Sequence, residues 1–174
     1  MIKKKFCLVG VEFDFEDLIL DYYDLYVGFF TSKKNKSYSY KRKKLGKENF
    51  KESISDPETI VNTLRLNDRN GEIVGFSKGG PLEKYQLREE VRDENYGLKN
   101  TVFLEPLALK MGYWGLRGGS EMRHLFIMQA HSMKYKHLTS FALRDVIKAR
   151  VDKENAEFVT QFDPERWDYY RIKI

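Results

Sequence analysis

The stretch VFLEPLALKMGYWGLRGGSEMRHLFIMQAHSMKYKHLTSFAL, Val102–Leu143, decides the reading of this chain. It starts as an apolar strand, breaks at Pro106, passes through a glycine-rich loop into a helical pattern, and leaves as a second apolar strand. Pro106 cannot donate to a ladder, so the strand Thr101–Lys110 is expected to carry a bulge there and to splay from its neighbour. The loop Gly115-Leu116-Arg117-Gly118-Gly119-Ser120 leaves backbone N–H groups uncovered and runs into a helix N-terminus. Both features attract phosphate oxygens, so a phosphate-bearing ligand is the first expectation. The helix is predicted over Ser120–Met133, with Ser120 as N-cap, Glu121 near the positive end of the dipole, and Met122, Leu125, Phe126 and Met133 sharing one face. His137–Leu143 then reads as a strand, Arg144–Val151 as a short helix, and Glu157–Phe162 and Asp168–Ile174 as two closing strands.

Towards the N-terminus, Lys5–Phe13 reads as a strand. A helix follows from about Phe15 to Phe30, because Leu18, Tyr22, Leu25, Tyr26 and Phe29 recur at spacings of three and four. That stripe is read as core. Asn70-Gly71 separates TLRLND from EIVGFS and predicts a hairpin on a type I′ turn, with Gly79-Gly80-Pro81 ending its second strand. Leu82–Asn100 is charged and irregular. The order of elements implies a mixed sheet, antiparallel early, with a parallel crossover through the helix after the glycine loop.

The chain of 174 residues is expected to form one domain, residues 1–174, with 41% hydrophobic residues and 14% aromatics to fill its core. Cys7 is its only cysteine, so no internal disulfide is expected, and the residue reads as a small buried thiol. The apolar run after Met1 meets Glu12 and Asp14 before it reaches signal-peptide length, and no segment approaches the roughly 20 apolar residues of a membrane span. A cytoplasmic, soluble protein with no membrane partner is the expectation. Thirty-one Lys and Arg against 26 Asp and Glu leave a net charge of +5. The excess is concentrated in KKNKSYSYKRKKLGK, Lys33–Lys47, which holds no acid and includes Tyr38 and Tyr40. Such a segment is a solvated loop, or it meets an acidic partner or a nucleic acid, with the tyrosines stacking on bases. His124 and His131 lie seven apart on the predicted helix, not the four apart of a helical metal pair, so no metal is expected.

These residues resemble the GCN5-related N-acetyltransferase (GNAT) superfamily. Leu107-Ala108-Leu109 is similar to the end of that family's hydrophobic strand; Tyr113 and Gly115 match the start of its loop, and Gly119-Ser120 match its close. Gly71–Phe76 is similar to the family's central hairpin, and Ala156–Ile174 to its closing strand pair. The resemblance implies an α/β (α+β) acyl-CoA N-acyltransferase fold: a mixed sheet of about six or seven strands, splayed near Pro106 and flanked by about four helices. It also implies direct transfer of an acyl group from acetyl-CoA, or another acyl-CoA, to an amine of unidentified acceptor. Two departures stand out. The family's signature of Arg or Gln, two residues, Gly, one residue, Gly or Ala is met here by Trp114, Arg117 and Gly119, and Arg144–Val151 lacks the tyrosine that many members use to protonate the leaving thiolate.

The cofactor would then lie along Leu107, Ala108, Leu109, Trp114, Gly115, Leu116, Arg117, Gly118, Gly119 and Ser120. The backbone N–H near Leu107 would polarise the acyl carbonyl. Glu105 would be the base for the substrate ammonium, directly or through water, and Tyr169 or Tyr170 the acid for the thiolate. The competing reading is a non-catalytic binding module of the same fold, degenerate in its cofactor loop, taking a nucleic acid or a protein through residues 33–47. A homodimer is compatible with either.

Overall fold

The computed structural model describes residues 6–9, 52, 54–68, 70–87, 91–105, 107–109, 113, 115–161 and 167–174. The expected helix over Phe15–Phe30 and the basic segment Lys33–Lys47 lie outside these residues. Eight strands form one mixed sheet: β1 (Phe6–Val9), β2 (Ile60–Leu66), β3 (Ile73–Pro81), β4 (Thr101–Leu104), β5 (Ala108–Leu109), β6 (His137–Leu143), β7 (Ala156–Gln161) and β8 (Trp167–Lys173). The helices α1 (Gly118–Ser132) and α2 (Arg144–Glu154) accompany them, with a short 3-10 helix at Leu82–Lys84. The order across the sheet is β1-β2-β3-β4-β6-β8-β7, with β5 paired to β3. All pairs are antiparallel except β4 with β6, the two strands joined through α1.

The expected strand over Thr101–Lys110 is present as two pieces, and this accounts for one strand beyond the six or seven expected. β3 spans the break. Gly79 opposes Leu104 and Phe76 opposes Ala108, so two residues of β3, Ser77 and Lys78, face the three from Glu105 to Leu107. One extra residue on one strand is a β-bulge, and it falls where the proline had asked for one. β4 accompanies β6 only from Thr101 to Phe103, whereas β6 continues to Leu143 paired with β8. At the point of parting, the Ser140 hydroxyl donates to the Leu104 carbonyl at 2.9 Å and supplies the hydrogen bond that the ladder no longer gives.

Buried clusters cover both faces of the sheet. Under α1 and α2 lie Val102, Leu104, Phe126, Ala130, Leu138, Ile147, Tyr170 and Ile172. On the other face Phe103, Phe141 and Tyr169 stack in sequence, with ring centroids 6.0 and 4.9 Å apart, beside Leu82 and Val91. Met122 and Phe126 anchor α1 and are fully buried, each contributing about 1.5–3 kcal/mol. Met133, placed by periodicity on the same face, is instead 40% exposed just past the helix end.

The hairpin β2–β3 forms, but not on a type I′ turn at Asn70-Gly71. Asn67 supplies the positive φ (65°), and the Asp68 carboxylate accepts the Asn70 N–H at 2.8 Å. Gly71 is needed for space: a Cβ there would stand 1.7 Å from the Leu66 carbonyl oxygen. The loop therefore closes on a side-chain cap and a close approach.

Candidate functional site

The bulge and the start of α1 lie at one end of the sheet. Leu107, Leu109 and Tyr113 pack with Leu64, Val74 and Met122, which ties β5 and the following loop to the first turns of α1. Pro106 and Trp114 lie outside the described residues, and of Ala108 only its backbone pairing with Phe76 is described.

Between β5 and α1, among the described residues, Gly115 (78°) and Arg117 (67°) have positive φ. Arg117, not Ser120, is the N-cap, and no side chain caps the helix. The helix starts three residues earlier than expected because Gly118 and Gly119 lie inside it, so Ser120 is already in its first turn. The first bond of the helix ladder runs from Glu121 N–H to Arg117 O at 3.0 Å. The N–H groups of Gly118, Gly119 and Ser120 precede it and have no acceptor within the helix, the arrangement that suits an anion at a helix start. The two glycines differ in surroundings. A Cβ on Gly118 would stand 2.5 Å from Leu64 Cδ2, so this glycine lets the helix settle on β2. A Cβ on Gly119 would meet only Leu107 Cδ2, at an ordinary 3.5 Å, so packing does not require a glycine there. Arg117 stands where the family pattern has a glycine, and it adopts the left-handed conformation that glycine adopts without strain. Its side chain, like that of Leu116, is exposed.

Glu105 sits in the bulge, 2% exposed. Its N–H donates to Lys78 O at 2.9 Å, and its Oε1 accepts both Lys78 Nζ and Tyr85 Oη at 2.7 Å. Farther along, where β6 runs into α2, Arg144 grips the Asp168 carboxylate with Nε at 2.9 Å and Nη2 at 2.8 Å. Lys78, Tyr85 and Arg144 were not among the residues singled out from sequence. For Lys78 a signal was present: it is the one charged residue in IVGFSKGGP.

Solved structures share this arrangement over nearly the whole chain. An N-acetyltransferase from Staphylococcus aureus Mu50 is 12% identical with a TM-score of 0.64, over 98% of each chain. The PaiA N-acetyltransferase of Thermoplasma acidophilum, solved in complex with coenzyme A, is 13% identical with a TM-score of 0.60, over 98% of this chain and 99% of that one. The yncA protein of Salmonella typhimurium, solved with its cofactor acetyl-CoA, is 9% identical with a TM-score of 0.61, over 97% of this chain and 94% of that one. The chain has the GNAT fold. No family model matches the sequence, and no curated protein does.

The predicted site residues fall in separate parts of the structure. Leu107 to Leu109 and Gly115 to Ser120 come together on the β5–α1 side. Tyr169 and Tyr170, adjacent on β8, lie on opposite sheet faces. Tyr169 is fully buried with the Phe103–Phe141 stack, its hydroxyl donates to Asp93 Oδ2 at 2.7 Å, and burial pushes its pKa far up. Tyr170 lies under the helices: Arg150 of α2 donates to its hydroxyl at 2.9 Å, and the Arg123 guanidinium of α1 stands 5.7 Å from its ring centroid. No helix among the described residues is long and apolar enough to cross a membrane.

Proposed function

We propose that this protein is an acyl-CoA-dependent N-acyltransferase that passes an acetyl or other acyl group directly to an amine, acting as one domain over residues 1–174. The observation that carries the reading is the bulge between β4 and β5 facing an uncapped helix whose first N–H groups are bare at Gly118, Gly119 and Ser120. Those N–H groups would hold the pyrophosphate, with Leu107, Ala108, Leu109 and the loop from Trp114 to Arg117 along the rest of the cofactor. Thioester oxygen would meet the Leu107 N–H just after the bulge, where developing negative charge is stabilised. The amine would attack the thioester carbon, the C–S bond would break, and coenzyme A would leave as thiolate. Glu105 already carries two donors on Oε1, so it would take the amine's proton as Tyr85 withdraws while Lys78 stays in place. Both tyrosines are fully buried; Tyr170 fits the acid's role better, because its hydroxyl accepts from Arg150 and so still has its proton to donate, whereas the Tyr169 hydroxyl already donates to Asp93 Oδ2.

Calorimetric titration with acetyl-CoA tests the reading, with coenzyme A and dephospho-coenzyme A as comparisons. Micromolar binding is expected. No heat at millimolar ligand would overturn it and turn attention to nucleic-acid binding, which a steep salt dependence would reveal.

A further inference from the structure

Lys78 and Glu105 oppose each other at the last register position before the β3–β5 pairing slips by one residue. Of the two β3 residues that face the three-residue bulge, Lys78 bonds to Glu105 twice. Its carbonyl oxygen accepts the Glu105 N–H at 2.9 Å, and its ammonium donates to Glu105 Oε1 at 2.7 Å. The two side chains are 6% and 3% exposed, so this ion pair is shielded from the solvent screening that makes surface pairs weak. Tyr85, which follows the turn after β3, donates to the same oxygen, and its ring packs 4.6 Å from that of Phe103 on β4.

A bulge is soft unless something selects one arrangement of its extra residue, because the ladder no longer does so. A backbone contact alone leaves the Glu105 side chain free to rotate and the next two residues to follow it. Joining backbone and carboxylate to one partner residue removes that freedom immediately before Leu107. Resting on the acyl-CoA reading above, we propose that Lys78 is a positioning residue: by holding Glu105 at two points it sets the bulge from which the Leu107 N–H is offered to the acyl carbonyl.

The test is the infrared carbonyl stretch of acetyl-CoA labelled with carbon-13 at the thioester carbonyl, bound to the full chain. In the wild type this stretch is expected below its value in water, the mark of a carbonyl polarised by a fixed donor. In Lys78→Met it is expected to move back towards the water value, while coenzyme A affinity stays within about threefold of wild type, since the pyrophosphate cradle is untouched. A role confined to stability would leave the bound stretch unmoved. Should Lys78→Met fail to fold with Glu105 left uncompensated, the double variant Lys78→Met with Glu105→Gln carries no lone charge and is expected to show the same return. An unshifted stretch in the wild type, or a shift that persists in whichever variant folds, overturns the positioning role but leaves the acyl-CoA reading standing. Failure of the wild type to bind coenzyme A overturns both.

Discussion

The two sides of the parting in the sheet are built differently. On one side β6 and β8 pair without interruption over seven positions, from His137↔Lys173 to Leu143↔Trp167. On the other, β5 pairs over two positions, follows a bulge, and leads into a loop with two positive-φ residues and an uncapped helix. Regular pairing satisfies backbone groups internally and leaves none for a ligand. Irregular backbone leaves some exposed, and it persists because its neighbours over-determine it. The contrast teaches that the β6–β8 side supplies rigidity and the β5–α1 side supplies donors, and substitutions on the two sides should therefore report on different properties.

The largest expected effect is on the regular side. Asp93 anchors the 91–100 segment to β8: its Oδ1 accepts Arg171 Nη1 at 3.2 Å and its Oδ2 accepts the Tyr169 hydroxyl at 2.7 Å, and its side chain is fully buried. Asp93→Ala takes from Arg171 and Tyr169 their shared, fully buried carboxylate and should cost about 3–5 kcal/mol in urea unfolding. Coenzyme A affinity per folded molecule should be unchanged. A loss below about 1 kcal/mol would mean that Glu94 and Glu157, which also contact Arg171, carry the network instead.

The adjacent glycines of α1 sharpen the comparison within a single turn. Gly118→Ala pushes a methyl to within 2.5 Å of Leu64 Cδ2 and should cost about 1–3 kcal/mol of stability. Gly119→Val meets little protein, so it should leave the unfolding midpoint nearly unchanged while weakening coenzyme A binding at least about tenfold by calorimetry. Unchanged affinity in Gly119→Val would remove the pyrophosphate from this loop.

Arg117→Gly should act in the opposite sense. The left-handed conformation at φ 67° costs a non-glycine residue about 1–2 kcal/mol, so its replacement by glycine should raise stability by about 1 kcal/mol after the entropy of the added glycine is offset. Coenzyme A affinity should be retained, because the backbone N–H groups hold the phosphate. A clear loss would show instead that the guanidinium is the donor and that the arginine was exchanged for glycine to gain it.

How far the sequence announced this architecture depends on the range of the interaction. Pro106 marked the bulge because its missing N–H is a property of one residue, and Val102–Leu143 placed β4, α1 and β6 because periodicity is local. Serine's capping propensity points to Ser120 as the start of α1, whereas Gly118 and Gly119 already lie inside the helix, and Gly118 lets it lie against β2. The hairpin was legible and its turn was not: Asn70-Gly71 carries the strongest local signal, yet Asn67 and Asp68 close the loop. The Lys78–Glu105 pair joins residues 27 apart through strand register, which no spacing rule records. The opposite facings of Tyr169 and Tyr170 follow from strand alternation alone, yet which face holds the helices is decided by packing.

The smallest expected effect belongs to the regular side and is set by pH. His137 opens β6 opposite Lys173, and its pKa is lowered, first by burial and then by the nearby Arg171 guanidinium. A histidine with a lowered pKa in the folded state binds its proton more tightly when unfolded. Its contribution is therefore complete above the ordinary histidine value of about 6.5 and is lost as pH falls from there towards the folded value. Stability should decline slightly between about pH 6.5 and pH 5, where carboxylates have scarcely begun to titrate, and His137→Gln should flatten that decline. The bulge side provides the control: coenzyme A affinity should keep the same pH dependence in His137→Gln as in wild type. If the variant altered that dependence instead, protonation at the start of β6 would be felt across the parting, and the two sides would be coupled rather than separately built.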